Sequence, residues 1–230
     1  MNPRTQSQNA RAKAFTLVEL LVSLAIIGLL AALLAAALPA AMKRVRIHSC
    51  STNLRSLAVG LLNYSSDHNA RVPGANRPNS GLASLSNYLS TPKILVCSSD
   101  NQIMGTTDKA RGVATRFSGL QLTNVSYFYS GHREYGSSAV LAGDRNFGES
   151  WSGRTPYYPL APGIHTIVTN ALYGWYRFVH EQKGNFAMAD GSVRLTKSEE
   201  ANLTFRNQPL WPGNKVTFIA PDPSTSIRWP

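Results

Sequence analysis

An α+β fold, with one long N-terminal helix packed against an antiparallel β-sheet, is predicted by three features of this 230-residue chain. The first is an apolar run from Phe15 to Leu38, 24 residues whose only formal charge is Glu19. The second is an amphipathic continuation of that run to about Asp67. The third is the change of character beyond residue 71, where short β-branched and aromatic runs alternate with Gly, Pro, Ser and Asn. These features divide the chain into a leader, 1–14, an apolar half-helix, 15–38, an amphipathic half-helix, 39–70, and one globular domain, 71–230.

The apolar half comes first. A helix of its length rises about 36 Å, enough to cross a hydrocarbon layer of roughly 30 Å. A carboxylate inside such a segment costs on the order of 2.5–3.5 kcal/mol, so Glu19 calls for a partner. Cleavage between Ala14 and Phe15 would create an α-amine four residues before Glu19, on the same helical face. Where such helices pack side by side, Glu19 of one chain can neutralise the amine of the next, because opposite charges attract strongly in a low dielectric.

A basic leader with Arg4, Arg11 and Lys13, a small residue at the cut, and then Phe15-Thr-Leu-Val-Glu19-Leu-Leu-Val22 ahead of a long apolar helix resemble the processing and methylation segment of type IV pilins and type II secretion pseudopilins. The resemblance runs over roughly residues 11–70, with Ala14 where the family usually has Gly. It implies cleavage after Ala14 by a prepilin peptidase and N-methylation of Phe15. It also implies assembly through Glu19 with other pilin or pseudopilin subunits, aided by inner-membrane machinery. The chain would be single-pass in the inner membrane, with its C-terminal domain in the periplasm or on an extracellular filament.

Two other readings fit the run less well. A secretory signal has an apolar core of 7–15 residues followed by a small-residue site, for which Ala37-Leu-Pro-Ala-Ala41 would serve. The run is longer than that, and neither a removable signal nor an uncleaved anchor accounts for Glu19. Charge does not decide orientation, since Arg4, Arg11 and Lys13 precede the run and Lys43, Arg44 and Arg46 follow it. Loss of the three leader cations takes the formal charge from +11 to +8, so the processed chain stays basic.

After Pro39, apolar Val45, Leu54, Leu57, Ala58, Leu61 and Leu62 recur at helical spacing between Arg44, Arg46, Asn53 and Arg55. The stripe predicts a covered helix face and an end near Asp67, where Ser-Ser-Asp-His-Asn-Ala-Arg-Val-Pro-Gly supplies breakers. Strands are predicted around 94–96, 125–129, 139–141, 164–168 and 185–188. Phe186 and Met188 alternate into Asp190-Gly191 and out through Val193 and Leu195, which predicts a hairpin with a type I′ turn.

Nine residues separate His180 from Asp190-Gly191. That spacing resembles the prepilin-associated His-x9-Asp-Gly domain, and Leu141-Ala-Gly-Asp144-Arg145-Asn146 and Cys97-Ser-Ser-Asp100 resemble its internal landmarks, although Cys97 is usually followed by Pro there. The role of His180, Asp190 and Gly191 stays open, the alternatives being fold scaffolding around a tight turn and a cation site. Pseudopilins of the major type hold calcium in a C-terminal loop, which makes Asp144 and Asp190 weak metal candidates here. Calcium takes six to eight oxygens, and this chain has no dense acidic loop. The expectation is no cofactor.

Cys50 and Cys97 are the two cysteines. They admit either a disulfide or two buried thiols; their number excludes a four-cysteine zinc site and their spacing a Cys-x-x-Cys redox pair. An enzyme is not expected. Ser90-Thr-Pro-Lys93 matches a Ser-x-x-Lys string, but Pro92 disfavours the helix that motif needs, and no phosphate loop, nucleophile elbow or zinc helix is present. The alternative function is a membrane-anchored envelope protein that binds an anionic polymer, DNA or polysaccharide, without polymerising. Its basis is net positive charge with Tyr127, Tyr129, Arg133, Tyr135, Tyr157, Tyr158, Trp175, Tyr176 and Arg177 as phosphate and stacking contacts.

Overall fold

The computed structural model describes residues 15–71, 73, 81–100, 113–120, 124–130, 137–149, 158–159, 163–168, 173–175, 179–180, 182–206 and 215–220. The chain divides into two compact units, one ending at Lys43 and the other beginning at Arg44. Helix α1, Leu17–Asp67, contains Pro39 without ending there. Among the described residues it is the one helix long and apolar enough to cross a membrane. From Phe15 through Arg46 every residue is exposed, including Leu24, Ile27 and Leu34 at more than 60%. Nothing among the described residues covers that surface.

In the second unit the helix buries the predicted stripe. Leu54, Leu57, Ala58 and Leu61 are at 0–1% exposure, and Cys50 joins them one turn earlier. Val45, expected on the same stripe, is 62% exposed, because the covered face begins only at Cys50. Gly60 lets Leu89 approach so closely that an added Cβ would lie 2.7 Å from its Cδ2. The helix ends as expected at Asp67, with Asn69 left-handed at φ 53° and Ala70 N–H returning to Ser65 O at 2.8 Å. This satisfies an otherwise orphaned carbonyl, and Asn tolerates that conformation better than most residues.

Among the described residues nine strands follow: β1 Tyr127–Ser130, β2 Val140–Asp144, β3 Phe147–Glu149, β4 Tyr158–Pro159, β5 Gly163–Val168, β6 Tyr173–Trp175, β7 Lys183–Met188, β8 Val193–Lys197 and β9 Lys215–Ala220. A short helix α2, Ser198–Arg206, follows β8. The main sheet has the order β5-β9-β1-β2-β7-β8 with every neighbouring pair antiparallel, and a smaller antiparallel sheet has the order β4-β3-β6. The α+β expectation is met. The strand expected at 94–96 is instead a 3₁₀ turn, Pro92–Leu95. Thr91 accepts from Lys93 N–H and Pro92 presets the helical φ at the first position, which outweighs the β-propensity of Ile94 and Val96.

Alternation sorts the main sheet into two faces. Tyr127, Tyr129, Ala142 and Ala187 join the core cluster that contains Leu54, Leu57 and Leu61 of α1. Phe128 and Phe186 point the other way and meet Phe147 and Trp175, with ring centroids 4.6 Å apart for Trp175–Phe186 and 5.3 Å for Phe147–Phe186. Glycine makes room for this aromatic layer: a Cβ on Gly184 would sit 2.3 Å from Trp175 Cε3, and one on Gly143 2.5 Å from Phe128 Cζ. Trp175 is pinned, since its Nε1–H donates to Thr196 Oγ1 at 3.0 Å and its backbone N–H to Ser198 Oγ at 2.9 Å. Gly184→Ala is therefore expected to overpack the layer and destabilise by about 1–3 kcal/mol, read as a lower thermal midpoint with unchanged secondary structure.

The β7–β8 hairpin is present, but its turn is not type I′. Among the non-glycine residues with positive φ Asp190 does not appear, whereas Gly191 is at +79°. Gly191 N–H bonds Met188 O and Met188 N–H bonds Ser192 O, which makes a three-residue loop with Gly191 in the left-handed position. Asp190 contributes an Oδ1 that accepts from Ser192 N–H at 2.8 Å. Hydrogen bonding from Ser192, side chain and then backbone, holds its carboxyl below the usual range.

Candidate functional site

The N-terminal segment and a buried polar cluster hold the residues singled out by the sequence. At the N-terminus of α1, Thr16 is the cap residue. Its backbone N–H and its hydroxyl both donate to Glu19 Oε2, at 2.9 and 2.8 Å, while Glu19 N–H donates back to Thr16 Oγ1 at 3.2 Å. This is a reciprocal capping box, satisfying two orphan donors at the start of the helix. The carboxylate also sits at the positive end of the helix dipole. The signal for this local role of Glu19 is Thr-x-x-Glu ahead of an apolar run. Both bonds fall on Oε2. Phe15 is 78% exposed, and Ala14 lies outside the described residues.

The second cluster lies on the α1-facing side of the main sheet. Cys50, from α1, and Cys97, just after the Pro92–Leu95 turn, form a disulfide with a Cα–Cα distance of 4.9 Å, which decides between the two cysteine readings. His180 Nε2 is 3.5 Å from Cys97 Sγ and 3.4 Å from Asp144 Oδ2. Asp144 ends β2, where register places it opposite Tyr127, and its Oδ2 accepts from Asn185 N–H at 2.6 Å and Asn185 Nδ2 at 2.9 Å. All of these groups are at 0–2% exposure. Burial pushes the Asp144 carboxyl above its ordinary range, against the opposing pull of His180 and the Asn185 donors.

Beside it, Asp100 accepts from Ser126 Oγ at 2.7 Å and pairs with Arg145, both fully sequestered. Arg145 N–H in turn donates to Ser126 O at 2.9 Å. Tyr127 O–H donates to Cys50 O at 3.4 Å, and its phenol is pushed well up by burial. Cys97, Asp100, Asp144, Arg145 and His180, far apart in sequence, thus converge on one polar region inside the core. Asn185 was missed; its signal was an amide at a covered position of an otherwise apolar strand.

His180 and Asp190-Gly191 are not brought into one site. His180 is in the core, whereas Asp190 is exposed in the hairpin turn, where Gly191 O accepts from Arg55 Nε of α1 at 3.2 Å. Asp144 and Asp190 consequently do not form a shared cation site: one is sequestered by Asn185 and His180, the other is used by Ser192. The stacking set is also broken up. Tyr127, Tyr129 and Trp175 are at 0–1% exposure and cannot meet a base, while Arg133, Tyr135, Tyr157, Tyr176 and Arg177 lie outside the described residues. For Tyr158 only the backbone, in β4, is described.

Residues 9–35 match the family model described as the prokaryotic N-terminal methylation motif. Comparison with curated proteins and with solved structures found no match. The motif supports a pilin-like protein that is membrane-anchored through its N-terminal helix and is a substrate for a prepilin peptidase. The match stops within the apolar part of α1.

Proposed function

We propose that the chain is a pilin-like structural subunit, cleaved after Ala14, methylated on Phe15, and assembled through α1 into a type II secretion pseudopilus or a type IV pilus-like filament. The observation that carries this reading is the methylation motif over residues 9–35 with Glu19 as the one charge in the apolar run. Its role is assembly and not turnover.

The physics of the exposed helix supports the same reading. A surface as apolar as Phe15–Leu38 has to be covered, first by lipid and then by the helices of neighbouring subunits. Exchange of lipid for protein gains little hydrophobic free energy, so specificity must come from packing and from polar contacts. Glu19 supplies one. With Thr16 holding Oε2, the carboxylate is preset at the helix start, and the methylated Phe15 amine of an adjacent subunit completes the pair. The domain beyond residue 71 then faces the periplasm or the filament exterior.

The deciding experiment is intact-mass and N-terminal peptide mass spectrometry on membranes of cells with the matching prepilin peptidase. The expected chain begins at methylated Phe15; a start near Ala41 or an uncut Met1 removes the mechanism. Glu19→Ala is expected to leave membrane insertion intact while filament yield falls at least roughly tenfold, the consequence of losing even ~1.4 kcal/mol per subunit contact. Unchanged filament yield would remove Glu19 from the mechanism, and a wild-type chain that enters no filament would favour the anchored polymer-binding protein instead.

A further inference from the structure

Sγ of Cys50, Sγ of Cys97 and Nε2 of His180 lie within 4.8 Å of one another, all inside the core. In the oxidised chain the sulfurs are bonded to each other and offer no thiolate. Yet their surroundings carry a donor for which a disulfide has little use. Ser99 N–H donates to Cys97 Sγ at 3.4 Å, while Ser98 Oγ, whose hydroxyl donates to Arg46 O, lies 3.8 Å from Cys50 Sγ. An N–H group aimed at sulfur stabilises its anionic form, as the outer shell of a thiolate–metal centre does.

The spacing of the other groups matches one metal. Zinc binds sulfur at about 2.3 Å and histidine nitrogen or carboxylate oxygen at about 2.0–2.2 Å, so a tetrahedral site has S···N edges of roughly 3.6 Å and O···N edges of roughly 3.4 Å. Cys97 Sγ to His180 Nε2 is 3.5 Å, and Asp144 Oδ2 to His180 Nε2 is 3.4 Å. Both edges are already set in the oxidised chain. His180 Nδ1 and Asp144 Oδ1 are buried with no hydrogen-bond partner among the described residues, so a small reorientation of either group breaks no bond at those atoms.

We propose that reduction of the Cys50–Cys97 disulfide converts this cluster into a closed zinc site, with both thiolates and His180 Nε2 as ligands and Asp144 Oδ2, 3.4 Å from that nitrogen, recruited as the fourth. A dithiol reductant delivers two electrons and two protons to the disulfide and is itself oxidised to a disulfide. The two thiol protons pass to solvent as zinc binds. Asn185, which donates twice to Asp144 Oδ2, becomes the group that orients the carboxylate ligand. With four protein ligands the site is structural, having no open position for a reacting water. Metal and disulfide are alternatives that join the same two places, α1 and the turn after Cys97. Zinc therefore preserves that junction whenever the cysteines are reduced.

The test uses the full chain in detergent, reduced with a phosphine under argon and dialysed against zinc or cobalt(II). One metal per chain is expected, with the thiolate-to-cobalt charge-transfer absorption and the intense d–d bands of a tetrahedral site. Reoxidation with diamide should release one zinc per chain to a chromophoric chelator. Asp144→Asn should weaken binding roughly 10–100-fold, and His180→Ala should abolish the tetrahedral cobalt spectrum. Each variant is first checked for native circular dichroism in its oxidised form, and His180→Gln serves where His180→Ala does not fold. A reduced chain that binds no metal overturns the proposal, as does a cobalt spectrum unchanged by both His180 variants or zinc that stays bound after reoxidation.

Discussion

Arg145→Met is expected to destabilise the globular domain by about 3–5 kcal/mol, because it leaves the Asp100 carboxylate charged and buried without its cation. Arg145 and Asp100 side chains are at 4% and 0% exposure, so water cannot take over the role of the guanidinium. Ser126 Oγ would still donate to Asp100 Oδ2, but a neutral donor does not replace the guanidinium of an ion pair. For a domain of this size, roughly 2–4 °C per kcal/mol translates the loss into a thermal midpoint lower by about 6–20 °C. Adding Asp100→Leu to Arg145→Met should recover most of it, since an apolar pair of similar volume avoids the desolvation penalty altogether. If the double variant loses as much as the two single variants summed, the coupling term of the cycle is near zero and the two residues contribute through shape and not through charge.

How much of this was legible in the sequence differs between the two ends of the chain. The helix was readable because its signals are local: an apolar run of membrane length, a 3.6-residue stripe through Leu54, Leu57, Ala58 and Leu61, and a breaker cluster after Asp67. Strands β2, β5 and β7 were readable by alternation and β-branched content. The turn at Pro92–Leu95 was misread because propensity counted Ile94 and Val96 while capping by Thr91 and the φ of Pro92 decided the outcome. The hairpin was found but its turn type was not, because Asp-Gly serves both a type I′ pair and a three-residue loop with Gly alone in the left-handed position.

The buried cluster was harder, for a physical reason. Cys50, Cys97, Asp144 and His180 come from four separate segments, and only the pairing of β2 with β7 and their packing against α1 bring them together. The spacing His180 to Asp190 suggested a joint role, whereas the structure gives them different ones: His180 is a core group held by Asp144, and Asp190 shapes the hairpin that Arg55 fastens to α1. A fixed spacing between a residue that precedes a hairpin and one in its turn can thus mark two independent requirements of the fold. Glu19 shows the converse. One residue serves both as a local cap for Thr16 and as the charge that the proposed assembly uses, and the cap keeps it in place before any partner arrives.

Loss of the disulfide should be as costly as loss of the buried ion pair. Cys50 and Cys97 close a loop with a sequence separation of 47, for which restriction of the unfolded chain is worth about 4 kcal/mol in the chain-entropy model. The staple also holds α1 to the turn whose Asp100 pairs with Arg145, so its removal loosens the polar region together with the core around Leu54 and Leu57. Cys50→Ala/Cys97→Ala is therefore expected to lower the thermal midpoint of the full chain in detergent by about 8–16 °C. Metal-free reduced wild-type chain should fall by a similar amount. Zinc should restore the reduced wild type toward the oxidised midpoint and leave the double-alanine chain where it is, because only the former retains thiolates to hold it. A double variant as stable as the oxidised wild type would mean that packing alone positions α1 against the sheet, and that the cross-link contributes nothing the core does not already supply.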